Sequence, residues 1–228
     1  MKRVSENLKL VDRNKIYAPD EAIDILMSSR SPKFDETIDL AINLGVDPRH
    51  AEEAVRGTVA LPAGTGKEVS ILAIVEGDDV KKALDAGADF AGSDEYFEKI
   101  NSGWTDVDVI IATPDMMPAL GKLGKVLGPK KLMPNPKSGT VAKDVSKAVK
   151  EMKGGKIEFR VDKYGIIHSG IGKMSFSKEQ IHGNLDTLMK AILKARPTSL
   201  KGVYINKITV SSSMGPGIKI DKNSFRLN

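Results

Sequence analysis

Hydrophobic and polar positions along the chain change style twice. Over residues 34–44, Ile38, Leu40, Ile42 and Leu44 alternate with Thr37, Asp39, Ala41 and Asn43, the period of two that predicts a half-buried strand. A second strand is expected at 56–61, before the turn-rich run Pro62-Ala63-Gly64-Thr65-Gly66. From 69 to 75 the chain is continuously apolar, as a strand buried on both faces should be, and 107–112 reads the same way. Helical patterns at 79–86 and 94–101 separate these two runs, a short helix opens at Thr113-Pro114 and is broken by the glycines that follow, and a further helix spans 143–152. Past Gly154-Gly155 alternation returns, with strands expected at 156–161, 166–176 and 203–210. Two helices belong to this outer part of the chain. One covers 19–29, with Pro19 in the first turn and Ala22, Ile23, Leu26 and Met27 on one face. The other runs from Ser177 to about 195, opened by the capping-box spacing of Ser177 and Gln180.

Two styles imply two bodies. The fold class read from the pattern is α/β and α+β: residues 1–66 plus 156–228 form one split α+β domain built from both termini, and residues 67–155 form an inserted three-layer α/β domain of Rossmann-like type. Gly64 and Gly66 on one side and Gly154 and Gly155 on the other are the candidate hinges for a rigid-body swing, although the same glycines would also serve as tight turns.

Charge is placed unevenly. The whole chain of 228 residues carries +5, yet residues 118–160 hold eleven Lys or Arg against three acids, a local +8. The stretch 121–141, GKLGKVLGPKKLMPNPKSGTV, contributes Lys122, Lys125, Lys130, Lys131 and Lys137 and no acid. Pro129, Pro134 and Pro136 forbid a continuous helix or central strand there. It is either a stiff basic ledge for phosphate or a rigid loop whose lysines face water. On the helix at 143–152, Lys147 and Lys150 extend the basic surface opposite Val145, Ala148, Val149 and Met152. The absence of cysteine removes disulfides and thiolate sites and fits a reducing compartment. The charged N-terminal segment lacks the apolar run of a secretory signal, and no apolar run reaches membrane-spanning length, so a cytoplasmic protein is expected.

Enzymatic chemistry finds little footing. Gly64-Thr65-Gly66-Lys67 has the outline of a P-loop, but Leu61 stands at the leading glycine and Glu68 at the magnesium-binding hydroxyl. His50, His168 and His182 lack metal-ligand spacing, and Asp106 and Asp108 flank the start of a strand, where acids more often mark a solvated turn. No catalytic residue, metal site or cofactor is assigned; a nucleotide-binding α/β enzyme remains the alternative. The polar faces of two strands point elsewhere. Thr37, Asp39 and Asn43 share one face of the first strand, and Thr209, Ser211 and Ser213 share one face of the last. Short side chains of this kind admit another backbone closely and bond 2′-hydroxyls or phosphates, although an ordinary solvated sheet face has the same pattern. With only 5% aromatic residues, folded RNA suits the chain better than a base-stacking platform for single strands.

Longer blocks carry a resemblance. Ile110-Ile111-Ala112-Thr113-Pro114-Asp115, then Gly128-Pro129, Leu132, Met133-Pro134 and Asn135-Pro136, resemble the signature of the L-one family of ribosomal proteins. Lys33-Phe34-Asp35-Glu36-Thr37, Val55-Arg56-Gly57-Thr58-Val59 and Ser213-Met214-Gly215-Pro216 resemble that family's other blocks in order. The resemblance implies the split-domain plan and a large-subunit stalk protein that binds rRNA, helps exit-site tRNA leave and represses its own mRNA through an operator that copies the rRNA fold. It implies rRNA contacts at Lys33, Phe34, Thr37, Asp39, His168, Lys173 and Ser211, Ser212, Ser213, Met214 and Gly215, a second tRNA surface on the basic ledge, and a monomer when free. Two departures follow. Asp39 stands where the family commonly has glutamate, a shorter reach. Phe34 has the parity of Ile38 and Leu40, so it faces outward only if a bulge near Glu36 turns it.

Overall fold

The computed structural model describes residues 2–29, 32–130 and 132–225. In chain order, helices α1 (Lys2–Lys9) and α2 (Pro19–Ser28) precede strands β1 (Thr37–Leu44) and β2 (Arg56–Ala60). Then come β3 (Ile71–Ile74), α3 (Asp79–Asp85), β4 (Phe90–Gly92), α4 (Asp94–Asn101), β5 (Val109–Ala112), α5 (Met117–Lys122), α6 (Gly124–Leu127) and α7 (Val145–Lys153). The chain closes with β6 (Lys156–Arg160), β7 (Ile166–Lys173), α8 (Lys178–Lys194), β8 (Ile205–Ser212) and β9 (Ile218–Ile220). Packing groups these elements into two compact units, residues 1–66 with 157–228, and residues 67–156.

The terminal unit is built on a four-stranded sheet in the order β7-β1-β8-β9, with antiparallel pairing throughout; β2 and β6 form a separate pair. Alternation sends Ile38, Leu40, Ile42 and Leu44 of β1, with Ile167, Ile171, Ile208, Val210, Ile218 and Ile220 of the other three strands, into one core. That core is roofed by α2 through Ala22, Ile23 and Leu26, and by α8 through Ile181, Leu185, Leu188, Met189 and Ile192. The α8 residues recur at helical spacing, and its start carries the complete capping box: Gln180 N–H donates to Ser177 Oγ at 3.3 Å and Ser177 N–H to Gln180 Oε1 at 2.9 Å. With one sheet face under helices, the residues of opposite parity are left on the other face.

The inserted unit holds a parallel sheet in the order β4-β3-β5. Its alternating residues serve two cores, which is why the strands are apolar throughout. Leu72, Ile74, Ile110 and Ala112 pack with Tyr96, Ile100, Leu120, Leu123 and Leu127. Ile71, Ala73, Val75 and Ile111 pack with Ala83, Val145, Ala148, Val149 and Met152. Helices α4, α5 and α6 thus cover one face, and α3 and α7 the other. No helix among the described residues is long and apolar enough to cross a membrane.

Several elements differ from the sequence expectation. Strand β1 begins at Thr37, not at residue 34, and β8 at Ile205 rather than 203, with a register shift in their pairing between Asn43 and Leu44. The short helix breaks among the glycines as expected, α5 ending at Lys122 and Leu123 lying outside it, but helical structure resumes at Gly124 as α6. Leu120, Leu123 and Leu127 are buried at helical spacing, and that apolar stripe carries α5 and α6 through to Leu127 before Pro129 stops it. Strands β4 and β9 and helix α1 went unanticipated, the strands because three residues cannot display a period.

Candidate nucleic-acid interface

The outer face of the terminal sheet is laid out in rows by strand register. Lys173 and Ser213 flank Thr37, Gly170 and Ser211 flank Asp39, and His168 and Thr209 flank Ala41. The first row is tied together. Lys173 Nζ donates to Thr37 Oγ1 at 3.1 Å, Ser213 N–H donates to the Thr37 carbonyl at 3.0 Å, and Thr37 N–H donates to Ser213 Oγ at 3.2 Å. The Ser213 side chain is exposed, but its hydroxyl is therefore committed to the Thr37 backbone. In the next row, Gly170 leaves room beside Asp39: a Cβ there would meet Thr37 Cγ2 at 3.4 Å and Asp39 Oδ1 at 3.6 Å.

Beneath this row sits a residue that sequence reasoning did not assign to the site. Glu36 is 2% exposed, and its carboxylate accepts from Met214 N–H at 2.7 Å and from the Ser212 hydroxyl at 3.2 Å. Its own carbonyl accepts from Met174 N–H at 2.9 Å. One buried carboxylate thus pins the 212–215 turn to the start of β1. The signal was present, because Glu36 has the parity of Ile38 and Leu40, and an acid at an apolar position marks an inward acceptor. Ser212 is correspondingly 3% exposed and turned inward, so among the expected contacts its side chain serves the turn and not the outer face. Gly215 is explained from the same side: a Cβ there would meet Ser212 Oγ at 2.4 Å, so only glycine leaves the Ser212–Glu36 bond intact.

Phe34 is 54% exposed and Met214 53%, two large apolar side chains on an otherwise polar face. Phe34 escapes the core because the strand has not yet begun at its position. Asp35 holds that approach segment, its carboxylate accepting from Ser175 N–H at 3.1 Å and from the Ser175 hydroxyl at 2.8 Å. The expected bulge near Glu36 lies instead on the partner strand. Ile38 pairs with Gly172 and Asp39 with Gly170, so Ile171 is the extra residue of β7. Its carbonyl accepts from Asn184 Nδ2 of α8 at 2.7 Å; Asn184 is fully buried, and it also bonds the Gly64 carbonyl at 2.8 Å and Ala63 N–H at 3.1 Å. Lys33 is exposed just before Phe34. His168 is exposed, with Nε2 3.6 Å from Asp162. The backbone N–H groups of Ile166 and Tyr164 hold the Asp162 carboxyl below its usual range, with the nearby His168 adding to the effect.

In the inserted unit Lys122, Lys125, Lys130 and Lys137 are all exposed, and Lys131 lies outside the described residues. Lys130 Nζ bonds Thr105 Oγ1. The turn carrying Lys137 is stiffened by its own side chains, with Asn135 Oδ1 accepting from Lys137 N–H at 2.9 Å and Thr140 Oγ1 from Asn135 N–H at 2.8 Å. On α7, Lys147 and Lys150 are exposed opposite buried Val145, Ala148, Val149 and Met152. Of the boundary glycines, Gly64, Gly66 and Gly155 have positive φ, which turn geometry alone explains, whereas Gly154 ends α7 with ordinary φ. Lys67 of the P-loop-like run pairs with Asp108 at 2.5 Å, and Asp108 also accepts from Ser70 N–H, so this acid clasps a strand entrance. Among the described residues, no group of three or more His, Cys, Asp or Glu could hold a metal. A family model described as the Ribosomal protein L1p/L10e family matches residues 26–216, a span that takes in every row of the outer face and the turn at Gly215.

Proposed function

The chain belongs to the ribosomal protein L1p/L10e family, whose members are rRNA-binding structural proteins of the large ribosomal subunit, and from that premise we propose that the outer face of the terminal sheet is where this chain grips rRNA. The target is a folded stalk segment, met through Lys33, Phe34, Thr37, Asp39, His168 and Lys173, with Ser211, Ser213, Met214 and Gly215 on the neighbouring strand end. Short polar side chains and glycines admit the sugar-phosphate backbone, and 2′-hydroxyls distinguish RNA from DNA there. The lysines of the inserted unit form a second, sequence-indifferent surface for exit-site tRNA. The inserted unit swings as a body about the boundary glycines. An mRNA operator that copies the rRNA fold competes for the sheet, so surplus free monomer represses its own translation.

The observation that carries the rRNA reading is the fixed presentation of Met214: its side chain is half exposed while its backbone N–H is anchored on buried Glu36. Met214→Asp places a carboxylate where RNA must approach. The affinity for a stalk rRNA fragment at moderate salt is expected to fall at least about tenfold, or ~1.4 kcal/mol, with an unchanged circular dichroism spectrum. Full affinity in the variant would remove this strand end from the interface.

A further inference from the structure

The outer face of the terminal sheet does not end at the rows described above. Lys207 pairs with Asn43 on β1, and Lys219 of β9 pairs with Thr209, so both continue the parity of Asp39 and Ser211 toward the β9 edge. There the surface sinks into a recess of about 380 Å³, lined by Lys207, Lys219 and Lys222 with Asn14, Asn206 and Asn223. Its one acid, Asp221, is occupied locally, with Oδ1 accepting from Asn223 N–H at 3.0 Å and from Asn223 Nδ2 at 3.0 Å. Among the described residues, none of the three lysines is ion-paired with a carboxylate, whereas Lys15 and Lys178 of the same unit are. Ile16, 62% exposed, supplies an apolar wall.

We propose that this recess is a second RNA seat on the terminal unit, taking a phosphodiester and its ribose from the same folded rRNA that the Thr37–Met214 end grips. The inference deepens the proposed function and rests on it. Three cations in one hollow suit a phosphate, three amides offer donors and acceptors for a 2′-hydroxyl, and an exposed aliphatic side chain suits the apolar side of a sugar. Continuity favours RNA over a free small anion. Lys207 stands four residues along β8 from Ser211, about 13 Å at ordinary strand rise, so one rigid RNA segment spans both sites. Lys219 has a structural task as well, donating to the Arg13 carbonyl, so Lys207 and Lys222 are the residues to test.

The experiment measures binding of the full-length protein to a stalk rRNA fragment across a salt series, for the wild type, Lys207→Gln/Lys222→Gln and Met214→Asp. The lysine pair is expected to lower the slope of log affinity against log salt by about 1.5 units, at roughly 0.7–0.9 for each phosphate left without its cation, and to erase backbone protection at one edge of the footprint. A slope and footprint equal to those of the wild type would overturn the recess as an RNA seat, whatever Met214→Asp does. Failure of Met214→Asp alone to weaken binding would instead count against the Thr37–Met214 end. Inorganic phosphate is the third probe: chemical-shift changes confined to the recess at millimolar phosphate, with an unaltered RNA slope in the lysine pair, would assign it to a free anion and overturn the proposal.

Discussion

At the scale of single residues, the proposed interface depends on groups that never reach solvent. Glu36 is buried, yet it fixes the backbone from which Met214 projects and the hydroxyl that excludes any side chain at position 215. Glu36→Ala leaves the buried Ser212 hydroxyl and the part-buried Met214 N–H without this acceptor, so a loss of about 1–3 kcal/mol in stability is expected, together with weakened rRNA binding. Glu36→Gln keeps an acceptor for Met214 N–H and should retain most of both. Denaturant unfolding and fragment binding on the two variants check this, and equal behaviour of Ala and Gln would show that the carboxamide geometry is irrelevant. Phe34 teaches the complementary lesson. Parity along 34–44 assigns it to the core, but parity holds only inside a strand, and here the strand starts three residues later. The outward rows at Thr37, Asp39 and Ser211 were legible in the sequence because they lie within paired strands. The inward turn of Ser212 has the same origin, since it shares the parity of core residues Ile208 and Val210.

At the scale of elements, α8 does more than roof the core. Asn184 closes the one irregularity of β7 by bonding the carbonyl of bulged Ile171, and with the same side chain holds the loop at Ala63 and Gly64. Asn184→Leu would leave the buried Ile171 carbonyl and the part-buried Gly64 carbonyl and Ala63 N–H without this partner. A destabilisation of about 1–3 kcal/mol per orphaned group that water cannot reach is expected, read as a lower denaturant midpoint with the helical signal at low denaturant preserved. A midpoint equal to that of the wild type would mean the bulge carbonyl finds another donor. The helices α2 and α8 were legible from first-turn proline, capping box and apolar spacing. The glycine- and proline-rich stretch was only half legible: the helix breaks beside its glycines, but buried Leu123 and Leu127 bring helical structure back as α6, against glycine's low helix propensity, until Pro129. The recess at β9 escaped sequence reading because its lysines come from β8, β9 and the turn after β9, separated along the chain and joined only by pairing.

For the molecule as a whole, the ion pairs of the inserted unit set its response to acid. Asp89 is held below the usual carboxylate range, first by the Ile71 N–H and then by Lys153; Asp108 is lowered by Lys67 and Glu151 by Lys156. A folded-state pKa below the unfolded one stabilises the fold above the carboxylate range, and that contribution is lost as pH falls through the folded values. The inserted unit should therefore melt at lower temperature near pH 3 than at pH 7, with the loss setting in below about pH 4. The chain's single tryptophan, Trp104, stacks edge-on to Phe90 at 5.4 Å in this unit, so its fluorescence reports the melt directly. Asp89→Asn should flatten the pH dependence; a melting temperature independent of pH in the unaltered protein would contradict the assignment. The split of the chain into two styles was legible because buried parallel strands and half-buried antiparallel ones differ in pattern.

Strand β1 is made early, but both of its neighbours in the sheet come from beyond the insert. A ribosome translating this chain completes the whole inserted unit while β1 still waits with bare edges for β7 and β8. The turn that carries Met214 arrives later still. The proposed grip on rRNA therefore cannot assemble on the ribosome-bound chain until β8 has been made and has joined β1.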